Sequence, residues 1–160
     1  MSEVTIIEAG SPELIGHARA LFREYGASIH FHLCFASFED ELAGLPGRYA
    51  PPLGRLLLAG ECGNLVGCVA LGPVDRVTAE LKRLYVRPAA RGRGIGRRLA
   101  GTAVVAARQA GYRTLRLDTL PEMAPARLLY RSLGFREVAG PATGIAPVDP
   151  QAIALELDLG

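Results

Sequence analysis

A chain of 160 residues, 49% apolar and 21% charged, has the size of one domain and near-average globular composition, which excludes collagen-like, coiled-coil and disordered classes. Its unbroken apolar runs, such as Leu56 to Ala59, fall far short of the roughly 20 residues that cross a bilayer, so no membrane partner is expected. The net charge of +2 hides an uneven spread: four bases face nine acids up to Asp75, fourteen bases face three acids from Arg76 to Arg136, and four acids with no base follow. A basic segment inside a nearly neutral chain implies a local polyanion site and argues against general affinity for nucleic acid; solvated arginines on helix faces remain the alternative. Glu3 and Glu8 near the start, with no basic or long apolar run, lead to the expectation of a cytoplasmic protein without a secretory leader. The odd set Cys34, Cys62 and Cys68 lacks paired metal-ligand spacing, so neither a metal site nor a disulfide framework is expected.

Val4 to Glu8 reads as a first strand. Ser11 then Pro12 opens a helix with a capping hydroxyl and a proline at the first helical position; Leu14, Ala18, Leu21, Phe22 and Tyr25 form its apolar face, and Gly26 stops it. Ile29 to Phe35 is an aromatic and histidine-rich connection, and Ser37 with Asp40 starts a short helix ending near Gly44, Pro46 and Gly47. Arg55 to Gly60 and Leu65 to Leu71 are apolar runs joined through Gly63 and Asn64, an antiparallel hairpin. Val77 to Arg87 is a strand whose apolar residues change phase, with Val77, Ala79 and Leu81 odd but Leu84 and Val86 even. Since side chains alternate with period two, the slip places a bulge near Lys82 or Arg83.

Pro88 ends that strand, and a helix runs from Gly92 to about Ala110 on Ile95, Leu99, Ala103 and Ala106, closed by Gly111. Tyr112 to Thr119 is a strand again, so strand, helix and strand make a crossover that predicts a parallel pair. Pro121 to Leu133 is a helix stopped by Gly134, Phe135 to Val138 a short strand, Ala139 to Pro150 a loop, and Ile153 to Leu159 a final alternating strand.

The chemistry concentrates in Arg91-Gly92-Arg93-Gly94-Ile95-Gly96-Arg97-Arg98, between a strand and a helix. Glycines let the backbone approach a ligand, and free amides at a helix N-terminus bind anionic oxygens, reinforced by the macrodipole. The segment fits neither nucleotide template. The dinucleotide fingerprint needs a glycine where Arg97 stands, and the phosphate loop needs a lysine and hydroxyl that are absent. A plain turn with close helix packing remains the alternative for the glycines.

Arg91, Gly94 and Gly96 match the R/Q-x-x-G-x-G/A pattern, and the segment resembles the acetyl-CoA signature of the GNAT superfamily of N-acetyltransferases. Glu80-Leu81-Lys82-Arg83-Leu84-Tyr85-Val86-Arg87-Pro88 resembles that family's fourth strand, and Leu128-Leu129-Tyr130-Arg131-Ser132-Leu133-Gly134-Phe135 its tyrosine-bearing helix. The element order extends the resemblance over nearly the whole chain. It implies a single domain of α/β (α+β) class: a central, mostly antiparallel mixed sheet with one parallel, splayed strand pair and helices on both faces. The bulged fourth strand would diverge from the fifth and open a cleft for pantetheine.

By that resemblance the amides of Gly92, Arg93, Gly94, Ile95, Gly96 and Arg97, beside Arg91, would hold the pyrophosphate of acetyl-CoA, with Gly94 and Gly96 the demanding positions. The backbone of Leu84, Tyr85 and Val86 would pair with pantetheine. The implied activity is direct transfer of an acetyl group to a primary amine of a small molecule or peptide, with a non-catalytic acyl-CoA sensor as the alternative and with monomer and homodimer both open. An alkyl amine of pKa about 10.4 must shed a proton before it attacks. Glu80 is the candidate base, through water, against the alternative of an ion pair with Lys82 or an arginine. Tyr130 is the candidate acid for the departing thiolate, against the alternative of a core tyrosine. Tyr25, His30, His32 and Phe35 are the candidate acceptor wall, with a structural histidine the simpler reading for His30 and His32. Cys34 would need a base nearby to act as a nucleophile, and direct transfer makes a covalent route unnecessary.

Overall fold

The computed structural model describes residues 3–28, 35–121, 123–139 and 152–160. Its seven strands form one sheet in the order β1-β2-β3-β4-β5-β7-β6: β1 is Val4–Glu8, β2 Arg55–Glu61, β3 Asn64–Pro73, β4 Thr78–Val86, β5 Thr114–Thr119, β6 Arg136–Val138 and β7 Ile153–Asp158. All pairings are antiparallel except β4 with β5. That parallel pair is joined by helix α3 (Ile95–Gln109), as a crossover connection requires.

Helix α1 (Pro12–Ser28) starts where the Ser11 hydroxyl accepts the Leu14 amide at 3.2 Å, the expected cap. It runs two residues past Gly26, since a lone glycine costs a helix only about 1 kcal/mol. Helix α2 (Phe35–Ala43) begins two residues before Ser37. The β2–β3 turn centres on Cys62 and Gly63 (φ 52° and 79°), one residue earlier than expected, with the paired positive φ values of a tight hairpin turn. Helices α3 and α4 (Ala124–Ser132) start at Ile95 and Ala124, later than Gly92 and Pro121. The final strand stops at Asp158.

The sheet buries both faces. Leu57, Ala79, Leu81 and Leu115 pack on one side with Leu99 and Ala103 of α3 and Tyr130 of α4. Leu56, Leu58, Ala70 and Tyr85 pack on the other with Leu21 and Phe22 of α1 and Leu42 of α2. Each fully buried leucine or phenylalanine contributes roughly 1.5–3 kcal/mol. Cys62 is exposed and Cys68 buried, while Cys34 lies outside the described residues. No helix among the described residues is long and apolar enough to cross a membrane.

Two departures from regularity shape the molecule. Along β4, Lys82 pairs with Ala70 but Tyr85 with Cys68, so Arg83 and Leu84 oppose Val69 alone. This is the bulge that the phase slip predicted. It keeps Ala79, Leu81, Leu84 and Val86 on the α3 side while Tyr85 packs on the other. Between β4 and β5 only Thr78–Thr114, Ala79–Leu115 and Glu80–Arg116 pair, after which β5 continues on β7 as far as Thr119–Ile153. Beyond Glu80 the two strands diverge.

A candidate acyl-CoA cleft at the diverging strands

The gap between the strands is a cleft of about 790 Å³ whose walls come from β4, the turn into α3, the end of β5 and α4. It contains Glu80, Leu84, Tyr85, Val86, Arg91, Gly92, Gly94, Ile95, Gly96, Arg97, Tyr25 and Tyr130. Positions as distant in sequence as Tyr25 and Ala152 thus share one cavity.

The turn into α3 leaves a row of backbone amides without backbone partners among the described residues. Gly92 and Gly94 have φ of 82° and 79°, a region that costs other residues roughly 1–2 kcal/mol. The first α-helical bond runs from the Arg98 amide to the Gly94 carbonyl at 3.1 Å. The six amides from Gly92 to Arg97 donate to no backbone acceptor among the described residues, so they remain free for a ligand at the positive end of α3. Gly92 and Gly94 are therefore the conformationally demanding positions. Gly96, expected to be demanding, is not: a Cβ there would lie 3.4 Å from Leu129 Cδ1 and 3.7 Å from Val86 Cγ2, in ordinary contact.

The surrounding arginines diverge. Arg91 Nε donates to the Val86 carbonyl at 2.7 Å, and its guanidinium lies 5.6 Å from the Tyr85 ring centroid. Arg97 donates to Ser132 Oγ. The Arg93 side chain leaves the cleft and pairs with Glu61 at 2.5 Å. The Arg87 amide donates to Val66 of β3 at 2.8 Å, and a trans peptide turns the preceding Val86 carbonyl to the opposite, open edge. The cleft edge of β4 thus presents unpaired backbone, with Arg91 on one carbonyl.

Tyr130 is buried in α4 with its ring edge-on to Phe135 at 5.7 Å. Burial, with the nearby Tyr25 hydroxyl, pushes its phenol well above the usual tyrosine range, since a phenolate would be left unsolvated. Tyr130 therefore stays protonated and able to donate.

Glu80 sits at the last paired rung and is 3% exposed. It is ion-paired to Arg48 and, at 3.6 Å, to Lys82. The closest approach of both cations is to Oε1, and no hydrogen bond to Oε2 appears among the described residues. Tyr25 packs edge-on to Tyr85 at 6.5 Å, and burial raises its pKa. His30 and His32 lie outside the described residues, as does the side chain of Phe35, whose backbone opens α2.

Several contributors escaped sequence reasoning because their partners are remote. Arg48, from the turn at Gly47–Tyr49, reaches Glu80 across 32 positions and donates to the Pro73 carbonyl at 2.5 Å. Glu24 of α1 accepts from Arg87 at 2.8 Å and from Tyr85 Oη at 3.3 Å; its bonds with Arg87 hold its carboxyl below the ordinary range. Arg83 forms a two-pronged bond to Glu41 of α2. Only Arg83 had a sequence signal, the change of phase that marks the bulge.

A sequence model of the Acetyltransferase (GNAT) family matches residues 12–135. An uncharacterized N-acetyltransferase of Schizosaccharomyces pombe is 36% identical over 137 residues, 84% of each chain. An IAA acetyltransferase of Azospirillum brasilense is 39% identical over 111 residues, 69% of this chain and 71% of the relative. Among solved structures, yncA of Salmonella typhimurium, a putative acetyltransferase with its cofactor acetyl-CoA, superposes with a TM-score of 0.76 at 22% identity, over 99% of this chain and 95% of that one. With its bulged strand, splayed parallel pair and glycine-rich helix start, the chain belongs to the GNAT family of acetyltransferases.

Proposed function

We propose that this chain, as a single domain in a reducing, cytoplasmic setting, transfers an acetyl group from acetyl-CoA to a primary amine of a small molecule or peptide. The carrying observation is the row of unpaired amides from Gly92 to Arg97 at the mouth of an open strand fork that also holds Tyr130 and Glu80. These amides bind the diphosphate, and the open edge of Leu84, Tyr85 and Val86 receives the pantetheine arm. That aims the thioester at the fork. The acetyl-CoA-bound relative of the same fold supports this choice of donor.

The amine nitrogen forms the new bond to the acetyl carbon while the carbon–sulfur bond breaks. Glu80, through a carboxylate oxygen and a water, takes the proton shed by the amine, and Tyr130 gives its proton to the departing sulfur. Solvent then returns a proton to Tyr130 and removes one from Glu80. Amide and free CoA are the products. Tyr25 forms part of the acceptor wall, with Phe35, His30 and His32 assigned there by resemblance.

The ion pairs of Glu80 with Arg48 and Lys82 favour one second reading, a module that binds acyl-CoA without turnover. A panel of amines, amino acids and peptides assayed for free CoA release separates the two. Amine-dependent release with a matching N-acetyl product is expected. Tight acetyl-CoA binding with no release above the amine-free rate overturns the enzyme reading in favour of the sensor.

A further inference from the structure

The β4 bulge holds a backbone conformation that residues other than glycine rarely adopt. Arg83 has φ of 63°, a conformation that costs a non-glycine residue roughly 1–2 kcal/mol and persists only where the surroundings over-determine it. Here they do. Arg83 Nε and Nη2 donate to Glu41 Oε2 and Oε1 at 2.9 and 3.0 Å, and the two side chains are only 10% and 19% exposed. The guanidinium lies 5.2 Å from the Phe38 ring and 5.7 Å from the Tyr25 ring. The Arg83 carbonyl accepts the Cys68 thiol at 3.2 Å. Every one of these residues except Cys68 lines the cleft.

A buried ion pair is a poor device for stability, because the desolvation of two charges offsets most of their attraction. A two-pronged guanidinium–carboxylate pair does fix direction. The pair joins the one point where β4 carries an unmatched residue to α2, the helix on the acceptor side. We propose that Arg83, held by Glu41, is a positioning residue: the pair keeps the bulge turned so that backbone freed from the β3 ladder faces the thioester carbonyl, and makes α2 and the bulge move as one unit. This deepens the proposed function and rests on it for the identity of the acyl donor.

The test uses Arg83→Gly, which keeps the positive φ without cost but removes the tether, and Glu41→Gln, which keeps the shape and removes the charge. A third variant, Arg83→Lys, keeps the charge but not the fork. Three quantities are measured on each folded variant: acetyl-CoA affinity by calorimetry, the carbonyl stretch of bound acetyl-CoA by difference infrared spectroscopy, and kcat with the best amine of the panel. Affinity is expected to stay within about threefold, because the diphosphate amides are untouched. The carbonyl stretch of bound acetyl-CoA should be lowered in the wild type and move back toward that of free acetyl-CoA in the variants, and kcat should fall roughly a hundredfold, as for reacting groups displaced by about 1 Å. Arg83→Lys should rescue neither quantity, and Arg83→Gly combined with Glu41→Gln should be no worse than either alone. Wild-type stretch and kcat in Arg83→Gly or Glu41→Gln overturn the proposal, as does a loss of affinity equal to the loss of kcat. A wild-type protein that acetylates no amine, yet whose bound carbonyl shifts when the pair is broken, refutes the enzyme reading and leaves the positioning role standing. Should Arg83→Gly fail to fold, Glu41→Gln decides alone.

Discussion

Replacing Gly94 tests the anion cradle most directly. Its φ is 79°, and a Cβ built there meets nothing within 4 Å, so Gly94→Ala is not resisted by a clash. The substitution carries the left-handed penalty of roughly 1–2 kcal/mol, which for a domain of this size lowers Tm by about 2–8 °C. If the chain relieves that strain by rotating out of the region, the amides from Gly92 to Arg97 diverge. Each charge-assisted bond lost from diphosphate is worth about 1.5–3 kcal/mol, a weakening of acetyl-CoA affinity by about tenfold to more than a hundredfold. Gly94→Glu adds a carboxylate beside the phosphates and should abolish binding. Calorimetric titration with acetyl-CoA and differential scanning calorimetry give both quantities. Gly101→Ala, also with open space around its Cβ but inside α3, is the control: it should gain about 0.5–1 kcal/mol of stability and leave affinity unchanged. Wild-type affinity in both Gly94 variants would refute the cradle.

Tyr130→Phe keeps the edge-on contact with Phe135 and removes only the hydroxyl, so turnover should fall by about a hundredfold or more while acetyl-CoA affinity and Tm hold; a wild-type rate removes Tyr130 from the mechanism. In Glu80→Gln the lost rate should recover as pH rises from about 7 to 9, because the free amine grows about tenfold per unit below its pKa. A deficit that stays constant with pH assigns Glu80 to its ion pairs alone. All five tyrosines are shifted upward, chiefly by burial, so the folded state holds these protons more tightly than the unfolded chain. Their contribution is complete below about pH 10 and is lost as pH rises above it. Tyrosinate absorbance is therefore expected to appear together with loss of circular dichroism, and a full, early titration in a folded protein contradicts this.

Much of the scaffold was legible because local rules and the tertiary structure agree. The alternation of β4 separates the side chains that face α3 from the others, and its change of phase points to a bulge near Lys82 or Arg83, where the ladder to β3 is in fact interrupted. Ser11 and Pro12 marked the start of α1 through short-range hydrogen bonding and a fixed φ. Helix starts were read too early at α3 and α4, where glycine and proline conformations are set by the loops that deliver them. The glycine pattern located the turn of unpaired amides before α3, but not which of its glycines adopt a left-handed backbone. Gly92 and Gly94 serve backbone conformation, whereas Gly96 has room for a Cβ.

What the chain order alone determined is therefore the set of elements, the parallel crossover and the position of the free amides, all of which depend on residues within a few positions of one another. The tertiary structure decided how charges are paired. Glu80 with Arg48, Glu41 with Arg83 and Glu24 with Arg87 are separated by 32, 42 and 63 positions. Periodicity carries no information about which distant side chain will share a buried site. The physical reason is that charges withdrawn from water, such as Glu80, Glu41 and Arg83, require partners. Which partner is within reach, for these as for the half-exposed Glu24–Arg87 pair, depends on the register of strands and the docking of helices.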